Sequence, residues 1–265
     1  MTADTASTEL VMVRVENRGT DGHVGHVTAN NPSKRNALGI PGKRAIAEAF
    51  KKLSHDDSLR VVVLTGAGDK SFIAGADIAE MKDLTAAQAE EEHTLTHLAC
   101  DAIRMCPVPV IARINGYCFG LGMELAASCD MRVAADHAKF GMLEVRVGIP
   151  SGMEAVLLPR IIGWGKTSEL VFTGDHMDAQ EAYRCGFIEK LVPSADLDRA
   201  VEKWIASIFA GGPRAIRLQK ALMRDWERLS VDEAIQAGIR ACVEARRTDE
   251  PKRLMEAFLN RKKSG

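Results

Sequence analysis

The chain has 265 residues, a length that fits one large domain or a core domain with a smaller appendage, because single cores stop growing near ~250–300 residues. It is 46% hydrophobic and 27% charged, with 35 basic against 36 acidic side chains and a formal net charge of -1, so it lacks the basic surplus that nucleic acid demands of a binding partner. At 5% aromatic it also lacks the material for base-stacking platforms or aromatic sugar clefts, although a small anion held by a few local charges stays open.

The opening MTADTASTE has neither a basic n-region nor an apolar h-region and reads as a polar tail, and no apolar run approaches the ~20 residues of a membrane span. Two strands, 10–15 and 24–28, flank the turn-forming NRGTDG at 17–22 and predict a hairpin. A helical pattern follows from Pro41 to Leu53, then the β-branched run RVVVL at 60–64, a buried strand. A helix over 85–104, a strand over 108–114, a short helix over 122–129 and a strand over 130–135 come next, and from 152 the chain reads as mainly helical. Leu197, Val201, Trp204, Ile205 and Ile208 form one stripe of a helix over 195–210. Gly211-Gly212-Pro213 marks a turn with Pro213 opening the next helix, Ser230 and Glu233 form a capping box for a helix over 231–246, and Thr248 is the predicted cap of the last helix, with Leu254, Met255 and Phe258 on its apolar side. The expected division is an α/β core over 1–195 and a helical region over 196–265, with no internal sequence repeat. Six cysteines (Cys100, Cys106, Cys118, Cys129, Cys185 and Cys242) lie in apolar segments without C-x-x-C spacing, which predicts reduced core thiols and a cytoplasmic location.

Four motif-like stretches fail on spacing. Gly66-Ala67-Gly68-Asp69-Lys70-Ser71 follows a strand but does not match the phosphate-loop spacing, and Gly120-Leu121-Gly122 lacks the third glycine of a dinucleotide fingerprint, since Leu125 stands there. His93 and His97 have helical i, i+4 spacing, but Thr94 replaces the Glu of a zinc-protease helix, so the pair reads as two exposed histidines. Ser151-Gly152 is not a G-x-S-x-G elbow.

The segment from Pro107 to Pro150 carries the chemistry. The strand VIARI runs through Asn115-Gly116-Tyr117 into Gly120-Leu121-Gly122, and a helix starts at once, so free N–H groups face outward at a positive helix end. A second small-residue turn, Ala74-Gly75-Ala76, follows an apolar strand and precedes Asp77. Two such turns, each donating an N–H, beside a carboxylate are the parts of an oxyanion hole served by a general acid or base. Glu124 and Glu144 both adjoin apolar sequence, where burial raises a carboxyl pKa; each in isolation reads as a solvated or paired structural Glu.

Several stretches in order resemble the crotonase superfamily, the enoyl-CoA hydratase/isomerase family, over essentially the whole chain after the first ten residues. NPSKRNAL at 31–38 is similar to the family's N-R-P-x-x-x-N-A-L element, SFIAGADIAEM at 71–81 to its A-G-x-D-[IL]-x-E-M element, INGYCFGLGMELAASCD at 114–130 to its longest motif, and FTGDHMDAQEAYRCGFIEKLVP at 172–193 to its T-G-[DE] element. The resemblance implies a spiral of repeated ββα units with a C-terminal helical trimerisation region, in a homotrimer or a homohexamer built as a dimer of trimers. It implies that the N–H groups of Ala76 and Leu121 hold a thioester carbonyl; Leu121 replaces the Gly of many members, but only its N–H is needed. Glu124 and Glu144 align with the two acidic residues of true hydratases, Glu124 as base and Glu144 as the acid delivering to Cα, a division the sequence alone leaves open. Lys34, Arg35, Ala37, Ala74, Gly75, Asp77, Ile78 and Gly120 are the implied neighbours of substrate and CoA, and Arg261 occupies the place of a basic residue reaching CoA phosphate from a neighbouring subunit. The implied activity is hydration of a 2-enoyl-CoA, with CoA as substrate carrier and neither separate cofactor nor metal. An isomerase, a specialised acyl-CoA dehydratase or lyase, and a thioester- or RNA-binding scaffold of the same fold are the alternatives. The chain departs from the family pattern at GIPSGMEAVLLPR, one residue shorter than usual, where Glu154 reads as a helix-start acid or an added site carboxylate.

Overall fold

The computed structural model describes residues 9–261, and the hairpin expected near the start is present as β1 (Val11–Asn17) antiparallel to β2 (His23–Ala29). Helix α1 (Ile40–Ser54) leads to β3 (Leu59–Gly66), after which the chain repeats one local plan. A strand of a large sheet is followed by a turn, a three-residue strand of a second sheet and a return through helix. The first pass is β3, β4 (Ser71–Ile73), α2 (Ile78–Met81) and α3 (Ala86–Met105); the second is β5 (Val110–Ile114), β6 (Tyr117–Phe119) and α4 (Leu121–Ser128); the third is β7 (Met131–Ala135), β8 (Lys139–Gly141) and α5 (Leu158–Thr173). This is a spiral of ββα units, repeated in structure without a repeat in sequence. β9 (His176–Asp178), α6 (Ala179–Arg184) and β10 (Lys190–Val192) complete both sheets, whose orders are β1-β2-β3-β5-β7-β10 and β4-β6-β8-β9. Four more helices follow, α7 (Leu197–Phe209), α8 (Pro213–Trp226), α9 (Val231–Ala245) and α10 (Glu250–Arg261).

All pairings of the large sheet after the hairpin are parallel, and its central strands β3, β5 and β7 are buried on both faces along most of their length, as near-continuous apolar runs predict. Alternation splits the residues of β3: Val62 and Leu64 point to the main core with Phe50, Phe72 and Met123, while Val61 and Val63 meet Leu197, Val201 and Ile205 of α7 on the other face. Each of those α7 side chains contributes roughly 1.5–3 kcal/mol by leaving water. Polar anchors tie the later helices down: Lys220 of α8 donates to Asp130 Oδ2 (2.7 Å) and Val108 O (2.9 Å), and Arg60 donates to Gly211 O (2.8 Å).

The capping box at Ser230 and Glu233 is formed, and Pro213 opens α8 behind Gly212. Thr248 does not cap α10; its hydroxyl donates back to Ala245 O at the end of α9 (3.4 Å), and the helix begins at Glu250. The mainly helical reading after 152 missed β9 and β10. All six cysteines are free, four of them buried, whereas Cys242 is exposed on α9 instead of lying in the core.

The loop before α1 is locked to the second sheet by Asn36, fully buried and in the left-handed region (φ 59°). Its Nδ2 donates to Ala67 O (3.0 Å) and Ser71 O (2.9 Å), and its Oδ1 accepts from Asn31 N (3.0 Å). Asn36→Ala leaves those groups unpaired and is expected to destabilise the chain by roughly 2–4 kcal/mol, seen as a lower urea midpoint with an unchanged slope.

Candidate active site

The strands of the second sheet deliver three loops to one place. β4 pairs parallel with β6 and β6 parallel with β8, so the loops after β4, β6 and β8 leave the same edge of the sheet. They carry Ala74-Gly75-Ala76, Gly120-Leu121 and Glu144, respectively.

In the first loop Ala74 N donates to Arg35 O (3.1 Å) and Asp77 N to Leu38 O (3.2 Å), which fixes the turn against the 31–38 segment. Ala76 N–H makes no bond to a carbonyl among the described residues, and Ala76 borders an open cavity of about 490 Å³. In the second loop Gly120 N donates to Gly141 O (2.9 Å), and Leu121 is the first residue of α4, where an N–H has no intrahelical acceptor. Leu121 borders the same cavity. The two turns are drawn together at Gly122, where a β-carbon would collide with the carbonyl oxygen of Ile73.

Glu124 lies one turn into α4, 3% exposed, its Oε1 accepting from Ala155 N (3.2 Å). Burial, and then the neighbouring Glu144 charge, push its pKa up to about 8. Glu144 begins a short 3-10 turn over Glu144–Val147, and its Oε2 accepts from Ser151 Oγ (2.8 Å). Ser151, a failed nucleophile by motif, here holds a carboxylate in place. The other oxygen, Oε1, occupies the space a side chain at Gly120 would need. Gly120 has φ 49° and ψ −118°, a conformation only glycine adopts readily.

Of the residues expected from sequence, Ala74, Gly75, Ala76, Ile78, Gly120, Leu121, Glu124 and Glu144 line this single cavity. Lys34, Arg35, Ala37 and Asp77 stand beside it. Lys34 Nζ donates to Asp77 Oδ2 (2.6 Å), which lowers the Asp77 pKa and raises that of Lys34, while Asp77 Oδ1 accepts from Ala79 N to cap α2. Arg35 lies over the Tyr117 ring at 5.2 Å, and Ala37 N donates to Lys34 O (3.1 Å). Arg261 ends α10, with its side chain outside the described residues.

Among the cavity residues that were not anticipated, Lys43, Glu92 and His93 bring polar groups to its wall. The signal was a charge on an apolar stripe, since Lys43 shares the buried face of α1 with Ile46, Phe50 and Leu53, and Glu92 that of α3 with Leu95, Ala99 and Ile103. Glu154 stands in the first turn of a 3-10 helix over Met153–Leu157, the helix-start acid expected; it is 3% exposed, pairs with His97 (2.7 Å) and does not line the cavity, though its charge also raises the Glu124 pKa. The two histidines thus each face a buried carboxylate, not open solvent alone.

A fold of ββα turns that gathers two free amide groups and two glutamates around one cavity defines a class of acyl-thioester enzymes, and the comparisons with known proteins agree. The model of the enoyl-CoA hydratase/isomerase family matches residues 19–265. The chain is 37% identical over 236 residues to a crotonyl-CoA hydratase of Syntrophomonas wolfei, covering 89% of this chain and 91% of that one. It is 33% identical to a short-chain-enoyl-CoA hydratase of Clostridium acetobutylicum, covering 92% and 94%. An enoyl-CoA hydratase structure from Bacillus anthracis superposes with a TM-score of 0.89 at 30% identity over 94% of this chain and 96% of that one. The chain belongs to the enoyl-CoA hydratase/isomerase family, the crotonase superfamily.

Glu124 also links the site to stability. Its carboxyl titrates at about 8 when folded against an ordinary value of 4.5, so the folded state holds a proton that the unfolded chain releases first. Its stabilising contribution is fully present below pH 4.5 and is lost as pH rises through about 8. Glu124→Gln, which cannot ionise, is therefore expected to gain stability relative to the parent chain as pH rises from about 5 to 8, by several kcal/mol at most, and to hold that margin above, as read from urea midpoints across the range.

Proposed function

We propose that this chain is an enoyl-CoA hydratase, adding water across the double bond of a 2-enoyl-CoA. The observation that carries the reading is the convergence of the Ala76 and Leu121 N–H groups with Glu124 and Glu144 on one cavity. The thioester carbonyl accepts from the two amides, whose donors are fixed before charge develops and favour the enolate-like transition state over the ground state. An ionised carboxylate takes a proton from water as its oxygen bonds to Cβ. The π electrons move toward the carbonyl, and the protonated carboxyl delivers its proton to Cα. The step is redox-neutral and needs no cofactor beyond the CoA carrier.

The pair must hold one proton, and burial keeps it on Glu124 in the unliganded protein. For Glu124 to serve as base and Glu144 as acid, that proton crosses to Glu144 when substrate binds. Retention of both glutamates favours hydration over isomerisation. CoA is placed along the 34–37 loop, with Lys34 and Arg35 exposed at its edge and Arg261 contributed from a neighbouring subunit.

The test follows loss of the conjugated thioester absorbance of crotonyl-CoA. The parent chain is expected to turn over, and Glu124→Gln and Glu144→Gln each to lose ~10²–10⁴ in kcat. The parent kcat/KM is expected to fall as pH rises through about 8, where the pair loses its proton. An inactive parent chain, or full activity in both variants, would sink the reading.

A homotrimer, alone or doubled into a hexamer, is part of the proposal. Val231, Ile235, Ile239 and Val243 form an exposed apolar stripe on α9, and Leu254, Met255 and Leu259 are exposed on α10, more than a solvated helix needs. Sedimentation equilibrium is expected to give three or six copies, and Ile235→Glu with Ile239→Glu to give monomer. No helix among the described residues is long and apolar enough to cross a membrane, and the cytoplasmic placement is likewise proposed.

A further inference from the structure

Resting on the hydratase reading, we propose that Lys43 and Glu92 form a recognition site for a hydroxyl group on the acyl chain, so that the substrate is a hydroxylated enoyl-CoA and not a plain alkenoyl one.

Lys43 and Glu92 are 1% and 3% exposed, they form an ion pair between α1 and α3, and both border the cavity that holds the two glutamates. Each stands on the stripe where its helix otherwise buries aliphatic side chains. Stability does not account for them. Withdrawing two charges from water costs several kcal/mol each, and replacing such a pair by apolar residues of similar volume is often neutral or stabilising.

The hydrogen-bonding inventory describes what the pair would bind. Lys43 Nζ has three donors and, among the described residues, makes one hydrogen bond, to Glu92 Oε1. Glu92 Oε2 makes none among the described residues; His93 Nδ1 lies 2.8 Å from it without forming a hydrogen bond. Free donors on the lysine beside a free acceptor on the glutamate match a group that accepts and donates at once, and a hydroxyl does both. A plain alkyl chain would dry these atoms and leave them unpaired. A terminal carboxylate fares worse at this pair, because the Lys43 charge is already balanced by Glu92, and the other lysine on the cavity wall, Lys82, is exposed and lies 3.7 Å from Asp83. Lys43 and Glu92 border the same cavity as Glu124, and the Lys43 charge acts on that carboxyl.

A site built to bond a hydroxyl rejects the analogue lacking it by far more than an apolar pocket separates two chains differing by one methylene, up to ~10⁴–10⁵ against ~10–200-fold. Matched saturated acyl-CoAs, with and without a hydroxyl at successive positions beyond the γ-carbon, are titrated by calorimetry, and the corresponding enoyl-CoAs are compared in kcat/KM. At one position the hydroxylated compound is expected to exceed its plain partner by ~10²-fold or more. The double variant Lys43→Met with Glu92→Leu, its fold checked by thermal denaturation, is expected to bring that ratio to one or below.

Equal binding and turnover of the two series by the parent chain at every position would overturn the proposal, a result needing no variant, as would a ratio unchanged in the folded double variant. Crotonyl-CoA ends at the γ-carbon. Failure to hydrate it counts against the hydratase reading alone, since the calorimetric comparison involves no reaction.

Discussion

Where the first turn of α4 meets the carbonyl of Ile73 there is no room for a β-carbon, and the geometry of the cavity follows from that contact. Only a glycine at 122 lets the helix start against the end of β4. Leu121 then presents its free N–H next to the turn that presents that of Ala76, and the helix continues straight into Glu124. Gly120 extends the same economy of space, because the volume its side chain would take holds a Glu144 oxygen. Two donors and two carboxylates are thus fixed by backbone packing, which loses little in reorganisation when charge develops.

Burial that gives those carboxylates their chemistry also makes the surroundings costly. Glu124, Glu92 and Glu154 are each about as buried as the aliphatic core, with Lys43 the one buried cation among the described residues that both borders the cavity and acts on Glu124. His97 meets Glu154 from the outside, and His93 stands over Glu92. Removing one partner of such a pair strands a charge in low dielectric, so each pair is kept or lost as a unit.

Elements with a long enough pattern were legible in the sequence. The hairpin, the β-branched β3, the stripe of α7 and the capping box before α9 all appear where periodicity and local hydrogen-bonding residues put them. The strands of the second sheet were not, because three residues cannot display a period of two, and they are made by pairing with distant neighbours. Of the site, the glycine turns and both glutamates could be read from local chemistry and family resemblance together. Lys43 and Glu92 left only a charge on an apolar stripe as a signal, and that signal does not name the partner on another helix or the cavity the two share. Thr248 shows the same limit: a hydroxyl before a helix has two helix ends within reach, and tertiary structure decides which.

The invisible sheet is what assembles the visible motifs. β4, β6 and β8 are too short to contribute much stability alone, yet their parallel pairing brings residues 76, 121 and 144 to one edge. In a parallel sheet every strand points the same way, so loops at carboxyl ends collect on one side, and a ligand approaching that side meets a residue from each turn of the spiral. One ββα unit supplies the first amide, the next the second amide and Glu124, the third Glu144. Identity of the acyl chain is then left to what the helices between the strands present to the cavity, and here α1 and α3 present an ion pair where aliphatic residues would have sufficed for packing. Reaction and selectivity are therefore written on different elements, and the second can change without disturbing the contact at Gly122 on which the first depends.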